Sequence, residues 1–257
     1  MAPGVKVFLT GASSGIGEAL ARYYAGEGAT LGLFARREAV LTKLAVALAP
    51  ATVATYAGDV RDAAALARAG ADFIARFGVP DVVIGNAGIS CGVLTGEAGD
   101  MPVFKAVFDT NVQGLVHTFQ PFIAAMTDSR HGVLAGVASV AGFRGLPGSG
   151  AYSASKAATI AYLESLRVEL HRSGVSVVTI CPGFVATPMT ARNPYAMPFL
   201  LAPDKAARLI ARAIERRRRF YVLPWQMKWV GRLLKLLPRP LYDLAFARAG
   251  RKPRQIP

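Results

Sequence analysis

"VKVFLTGASSGIGEALARYYAGEG", residues 5–28, sets Gly11, Gly15 and Gly17 between a short apolar run and a helical pattern. A strand, a glycine-rich turn and a helix in that order open a nucleotide-binding unit. Glycines let the backbone turn tightly and approach a pyrophosphate, and free N–H groups at the helix start attract its charge. The spacing is G-x-x-x-G-x-G rather than G-x-G-x-x-G, which points to one branch of such folds. Gly11, Ser13, Ser14, Gly15, Ile16 and Gly17 are therefore candidate cofactor contacts.

Six further apolar runs follow: "TLGLF" (30–34), "TVATY" (52–56), "DVVIG" (81–85), "GVLAGVA" (132–138), "VSVVTI" (175–180) and "RFYVL" (219–223). They are apolar on both faces and separated by segments long enough for helical crossovers. The pattern predicts an α/β protein: a Rossmann-like, doubly wound parallel sheet of about seven strands, with helices on both faces. The second run ends "LFARRE". Ala35 stands where an NAD-preferring fold carries an acid for the ribose hydroxyl, and Arg36 and Arg37 follow. A guanidinium suits a 2′-phosphate, so NADP(H) is expected ahead of NAD(H).

Composition sets the bounds. A chain of 257 residues, 53% of them hydrophobic, can fill one α/β core. Cys91 and Cys181 are far apart and read as buried hydrophobes in a reducing compartment. His117, His131 and His171 share no ligand spacing, so no metal is expected. The run after Met1 is too short for a signal peptide, and no apolar run is long enough to cross a membrane. A cytoplasmic protein is expected. Charge is uneven: residues 1–204 hold 15 Lys+Arg against 14 Asp+Glu, and residues 205–257 hold 15 against 2.

"AYSASKAA" (151–158) puts Tyr152 and Lys156 one turn apart in a helix predicted over 150–172. Free tyrosine titrates near pH ~10, and a neighbouring ammonium favours its phenolate, which suits proton exchange with an alcohol or ketone. Ser139 follows a predicted strand, at the sheet end where such folds bind ligands.

With these residues the chain resembles the short-chain dehydrogenase/reductase family over roughly residues 4–222. The motifs are "TGASSGIG" (10–17), "DV" (59–60), "NAG" (86–88), Asn111 in "DTNVQG", Ser139, "YSASK" (152–156) and "PGFVAT" (182–187). The resemblance implies that Tyr152 is the general acid in reduction and the base in oxidation. Ser139 would polarise the substrate carbonyl, and Lys156 would hold the nicotinamide ribose and lower the tyrosine pKa. Asn111 would bind a water that links Lys156 to solvent. Asp59 and Val60 would contact adenine, and Asn86, Ala87 and Gly88 would line the nucleotide floor. Pro182, Gly183, Val185 and Thr187 would position the carboxamide. Dimers or tetramers are expected from the same resemblance.

Beyond "PGFVAT", the apolar residues of 188–203 fit a cover over a hydrophobic substrate, or a core-packed loop. The catalytic domain is expected over 1–222 and a basic amphipathic extension over 223–257. Within the latter, Trp225, Trp229, Leu233 and Leu236 recur at helical spacing beside Lys228, Arg232 and Lys235. Such a helix suits an anionic membrane surface, its own domain or subunit, or an acidic carrier. No nucleic-acid reading motif accompanies it. The expected activity is NADP(H)-dependent interconversion of a carbonyl and an alcohol on a hydrophobic substrate. A 3-oxoacyl-carrier-protein-type reductase and a non-catalytic NADP(H)-binding sensor are the alternatives.

Overall fold

A computed structural model describes residues 4–247 and 250–254. Seven strands form one parallel sheet: β1 (Lys6–Thr10), β2 (Thr30–Ala35), β3 (Val53–Ala57), β4 (Val82–Gly85), β5 (Val133–Val137), β6 (Ser176–Pro182) and β7 (Phe220–Leu223). Their order is β3-β2-β1-β4-β5-β6-β7. Each strand matches an apolar run to within two residues, because a strand buried on both faces must be apolar throughout.

The helices are α1 (Gly15–Gly26), α2 (Glu38–Ala47), α3 (Ala63–Phe77), α4 (Met101–Phe108), α5 (Gly114–Asp128), α6 (Gly150–Glu169), α7 (Pro203–Glu215), α8 (Trp225–Leu236) and α9 (Arg239–Phe246). α6 ends three residues before the predicted 172, at a turn that contains Gly174 with φ 85°. One sheet face is filled by Leu20, Tyr24, Leu41, Ile210 and Ile214 from α1, α2 and α7. The other is aromatic, with Phe8 at its centre. The ring centroid of Phe122 lies 4.8 Å from that of Phe8, and that of Phe73 lies 5.6 Å away, edge-on. β1 pairs with both β2 and β4, so strand order reverses beside it and leaves a crevice at the carboxyl ends of the strands.

The expected boundary at 222/223 falls inside β7, and α8 packs on the sheet domain. Met227 and Gly231, four residues apart, face inward and are buried. A Cβ on Gly231 would sit 2.3 Å from Cδ2 of Phe143, so only glycine permits this approach. Arg144 then binds the end of the helix: its Nη1 donates to the carbonyls of Leu234 and Leu237 (the latter at 2.9 Å), which α8 itself leaves unpaired. The Arg144 guanidinium also stacks 4.2 Å from the ring of Tyr242 in α9.

Phe122→Ala is expected to destabilise the fold by about 3–5 kcal/mol, because the aromatic cluster cannot collapse into the space left. Urea unfolding followed by circular dichroism measures it; a midpoint unchanged from wild type would remove this cluster from the core.

Candidate active site

The crevice has a volume of about 260 Å³ and runs from the β1–α1 turn to Ser139 and Tyr152. Its glycine end is built by close backbone approach. Gly11 and Gly15 have φ of 69° and 58°, a left-handed conformation that glycine adopts without strain. A Cβ on Gly17 would lie 2.1 Å from the carbonyl oxygen of Gly11. Asn86, just past β4, braces the turn: its Nδ2 donates to Thr10 O at 3.2 Å and to Gly11 O at 3.3 Å. Ser14 precedes α1 without capping it, which leaves first-turn N–H groups for an anion.

Arg36 and Arg37 line the same end and are exposed. Arg37 Nη2 donates to Ser13 O at 2.9 Å and to Ser13 Oγ at 3.1 Å, so it also holds the glycine turn. Asp59 pairs with Arg61 at 2.6 Å, and this bond is the main reason its carboxyl lies below the usual range.

At the other end Ser139 leaves β5, its Oγ accepting from Ala141 N at 3.1 Å and donating to Pro182 O at 3.4 Å. Tyr152 and Lys156 come from the first turns of α6, and Lys156 is 4% exposed. The Lys156 ammonium donates to Val137 O at 2.8 Å and lies 5.8 Å from the Tyr152 ring centroid. Burial lowers its pKa from 10.5 to about 8. Burial likewise raises the Tyr152 phenol, and its hydrogen bond with Ser139 opposes that rise. The Lys156 ammonium has three protons, of which the Val137 carbonyl takes one.

Asn111 lies in a wide helical turn, Asp109–Gln113, between α4 and α5, where i→i+5 bonding often marks functional sites. Its side chain is 2% exposed. Oδ1 accepts from Ile89 N at 2.8 Å, and Nδ2 donates to Ile89 O and to Ser155 Oγ, both at 3.0 Å. The carboxamide thus ties the "NAG" loop to α6, beside the Lys156 ammonium: a Cβ on Gly88 would be 3.2 Å from Asn111 Oδ1 and 3.6 Å from Lys156 Nζ.

Every sequence-predicted site residue lines the crevice except Gly17, which lies beneath the turn, and Asn111, which lies behind the wall. Thr187 closes over the glycine turn, where a Cβ on Gly15 would meet its Cγ2 at 3.0 Å. Sequence reasoning did not single out Ile89, Thr110 and Thr190, which also line it. Thr190 has a readable signal, a hydroxyl three residues after Thr187 whose Oγ1 accepts from Thr187 N at 2.9 Å.

Residues 6–197 match the family of short chain dehydrogenases. The chain belongs to that family. It is 38% identical over 242 residues, 93% of this chain and 95% of the other, to an uncharacterized oxidoreductase of Myxococcus xanthus. Among solved structures, a short chain dehydrogenase/reductase from Burkholderia phymatum in complex with NAD superposes with TM-score 0.83 at 25% identity, covering 99% of each chain. An alcohol dehydrogenase from Thermococcus sibiricus complexed with 5-hydroxy-NADP gives 0.77 at 27% identity, over 85% of this chain and 95% of that one. The chain is thus an oxidoreductase of the short chain type, with a fold that binds a nicotinamide cofactor.

The buried lysine of this short chain dehydrogenase sets a pH signature. Between about pH 8, where folded Lys156 loses its proton, and its ordinary value of 10.5, the unfolded chain binds more protons than the folded one. Stability from this group therefore rises with pH across that window. Relative to Lys156→Met, wild type is expected to gain stability as pH rises from 8 to 10.5. Denaturant melts of both proteins at stepped pH check this; a flat difference would mean that the lysine is not desolvated.

Proposed function

We propose that this oxidoreductase uses NADP(H) to interconvert a ketone or aldehyde and an alcohol on a hydrophobic substrate, with Tyr152 as acid and base. The observation that carries the reading is the convergence of Ser139, Tyr152 and Lys156 at one end of a crevice whose other end is a glycine cradle flanked by Arg36 and Arg37. The cradle fits a dinucleotide: its turn excludes a Cβ at Gly17, and Ser14 leaves the helix start uncapped. Gly11, Ser13, Ser14, Gly15 and Ile16 would meet the pyrophosphate, Arg36 with Arg37 a 2′-phosphate, and Asp59 with Val60 the adenine. Asn86, Ala87 and Gly88 would floor the nucleotide, and Pro182, Gly183, Val185 and Thr187 would face the nicotinamide.

A bound nicotinamide supplies the hydride chemistry. In reduction Tyr152 gives its proton to the carbonyl oxygen, and in oxidation it takes one from the alcohol. Ser139 donates a hydrogen bond to the same oxygen and holds it beside the phenol. Lys156 holds positive charge near the phenol, and Asn111 keeps the loop that carries Gly88 against α6. Met189 of the 188–203 cover lines the crevice and Tyr195 lies near the Tyr152 phenol, which supports a hydrophobic substrate.

The test is NADPH consumption, with NADH in parallel, across short and long ketones and aldehydes. Tyr152→Phe is expected to lower kcat by about a hundred- to ten-thousand-fold. Arg36→Ala with Arg37→Ala is expected to lower the NADPH over NADH preference by about 10- to 100-fold. Turnover that is indifferent to the tyrosine substitution would overturn the acid and base assignment.

A second reading concerns the outer face of α8. Trp225, Trp229, Leu233 and Leu236 are 59–80% exposed there, with exposed Lys228, Arg232 and Lys235 beside them. Aromatic and leucine side chains flanked by cations suit an anionic lipid surface, each cation adding on the order of 1 kcal/mol. Among the described residues no helix is long and apolar enough to cross a membrane. Contact would therefore be peripheral. Because α8 also packs on Phe143, the variant to use is Trp225→Ser with Trp229→Ser, which leaves the inner face intact. Flotation of wild type with phosphatidylserine-containing vesicles, lost in the variant and in high salt, is the expected result. Wild type that stays with the soluble fraction, or elutes as a dimer that the variant abolishes, would give this face to a second subunit instead.

A further inference from the structure

Residues 250–254 lie against loops on the Tyr152 side of the crevice. Gly250 lies against Tyr195 of the cover, where an added Cβ would be 3.1 Å from the tyrosine Cβ. Arg251 packs on Gly148, just before α6. The Pro253 carbonyl accepts from Gly92 N at 2.8 Å, in the loop after β4. Arg254 pairs with Asp100 at 2.9 Å and with Glu97 at 3.2 Å. Residues 250–254 thus touch three loops near the reacting end. Gly92 is where they could not pass over any other residue, since a Cβ there would lie 2.2 Å from the Lys252 carbonyl oxygen.

This strap carries one charged side chain inward. The Lys252 ammonium donates to Ser90 Oγ at 2.7 Å and lies 5.6 Å from the ring centroid of Tyr152. It is only partly exposed, and among the described residues no carboxylate pairs with it. The acids nearest along the strap, Asp100 and Glu97, are taken by Arg254. Burial lowers the Lys252 pKa, as desolvation of an ammonium must. A partly buried cation without a counter-charge is costly, and a bound anion removes that cost.

We propose that residues 250–254 form the outer wall of the substrate pocket and that Lys252, with Ser90, binds a carboxylate of the substrate whose carbonyl or hydroxyl meets Tyr152. The inference rests on the reading of Tyr152 and Ser139 given above, and it narrows the substrate to an oxo or hydroxy acid with an apolar body. One ammonium and one hydroxyl match a singly charged group: Ser90 accepts from Lys252 and keeps its own proton to donate to the second carboxylate oxygen. A phosphate dianion would leave net negative charge in a half-buried site.

The experiment uses octanoate and its neutral isostere octanamide, titrated by calorimetry into the full chain with NADP+ present. Octanoate is expected to bind about 10- to 100-fold more tightly than octanamide, the range of a charge-assisted hydrogen bond. The advantage is expected to vanish in Lys252→Gln, to survive largely in Lys252→Arg, and to fall in Gly92→Val, where the strap is displaced. Equal affinity of the two probes, no binding of either, or an advantage that persists in Lys252→Gln would overturn the proposal. NADP+ and NADPH affinities are measured on the same samples by fluorescence. Loss of nucleotide binding in wild type would sink the functional reading, whereas intact nucleotide binding without a carboxylate preference would sink this inference alone.

Discussion

The structure depends on one close approach, that of the β1–α1 turn to itself and to the loop after β4. No side chain fits at Gly17 beneath the Gly11 carbonyl, and Asn86 spans the gap with hydrogen bonds to Thr10 and Gly11. This fixes α1 relative to β1 and, through Asn86, fixes β4 relative to both. The crevice exists because β2 and β4 leave β1 in opposite directions at that point. Everything that lines it is positioned from this turn outward.

The chemistry at the far end depends on how buried polar groups are paired. Lys156 is held by the Val137 carbonyl, and Asn111 by both backbone groups of Ile89. The first contact ties α6 to the end of β5 and the second ties the turn before α5 to the loop after β4, so the tyrosine is set by the sheet rather than by its own helix alone. Burial favours the neutral forms of both Tyr152 and Lys156. Proton exchange at this end therefore responds to whatever hydrogen bonds and charges are brought next to the phenol, Ser139 first among them.

The C-terminal region is divided by face. Small or flexible residues, Gly231 and Met227, let α8 lie close on Phe143 and on the turn at Gly183, while its large apolar residues point outward. Arg144, in the loop after β5, joins the end of α8 to the ring of Tyr242. The basic, amphipathic character of this region is thus compatible with a packed inner face.

The sequence by itself determined the seven strands, the long helix of α6 and nearly all of the crevice, because strand burial and glycine spacing are local properties that leave periodic marks. Gly11, Ser139, Tyr152 and Lys156 were legible for that reason. Tertiary structure decided what depends on contacts distant along the chain. The lysine that faces Tyr152 beside Lys156 is Lys252, a hundred positions later, and nothing in "GRKPRQ" marks it among the other cations of a basic terminus. Arg144 gave no sign that it would close α8, since its partners are unpaired carbonyls of a helix some ninety residues away.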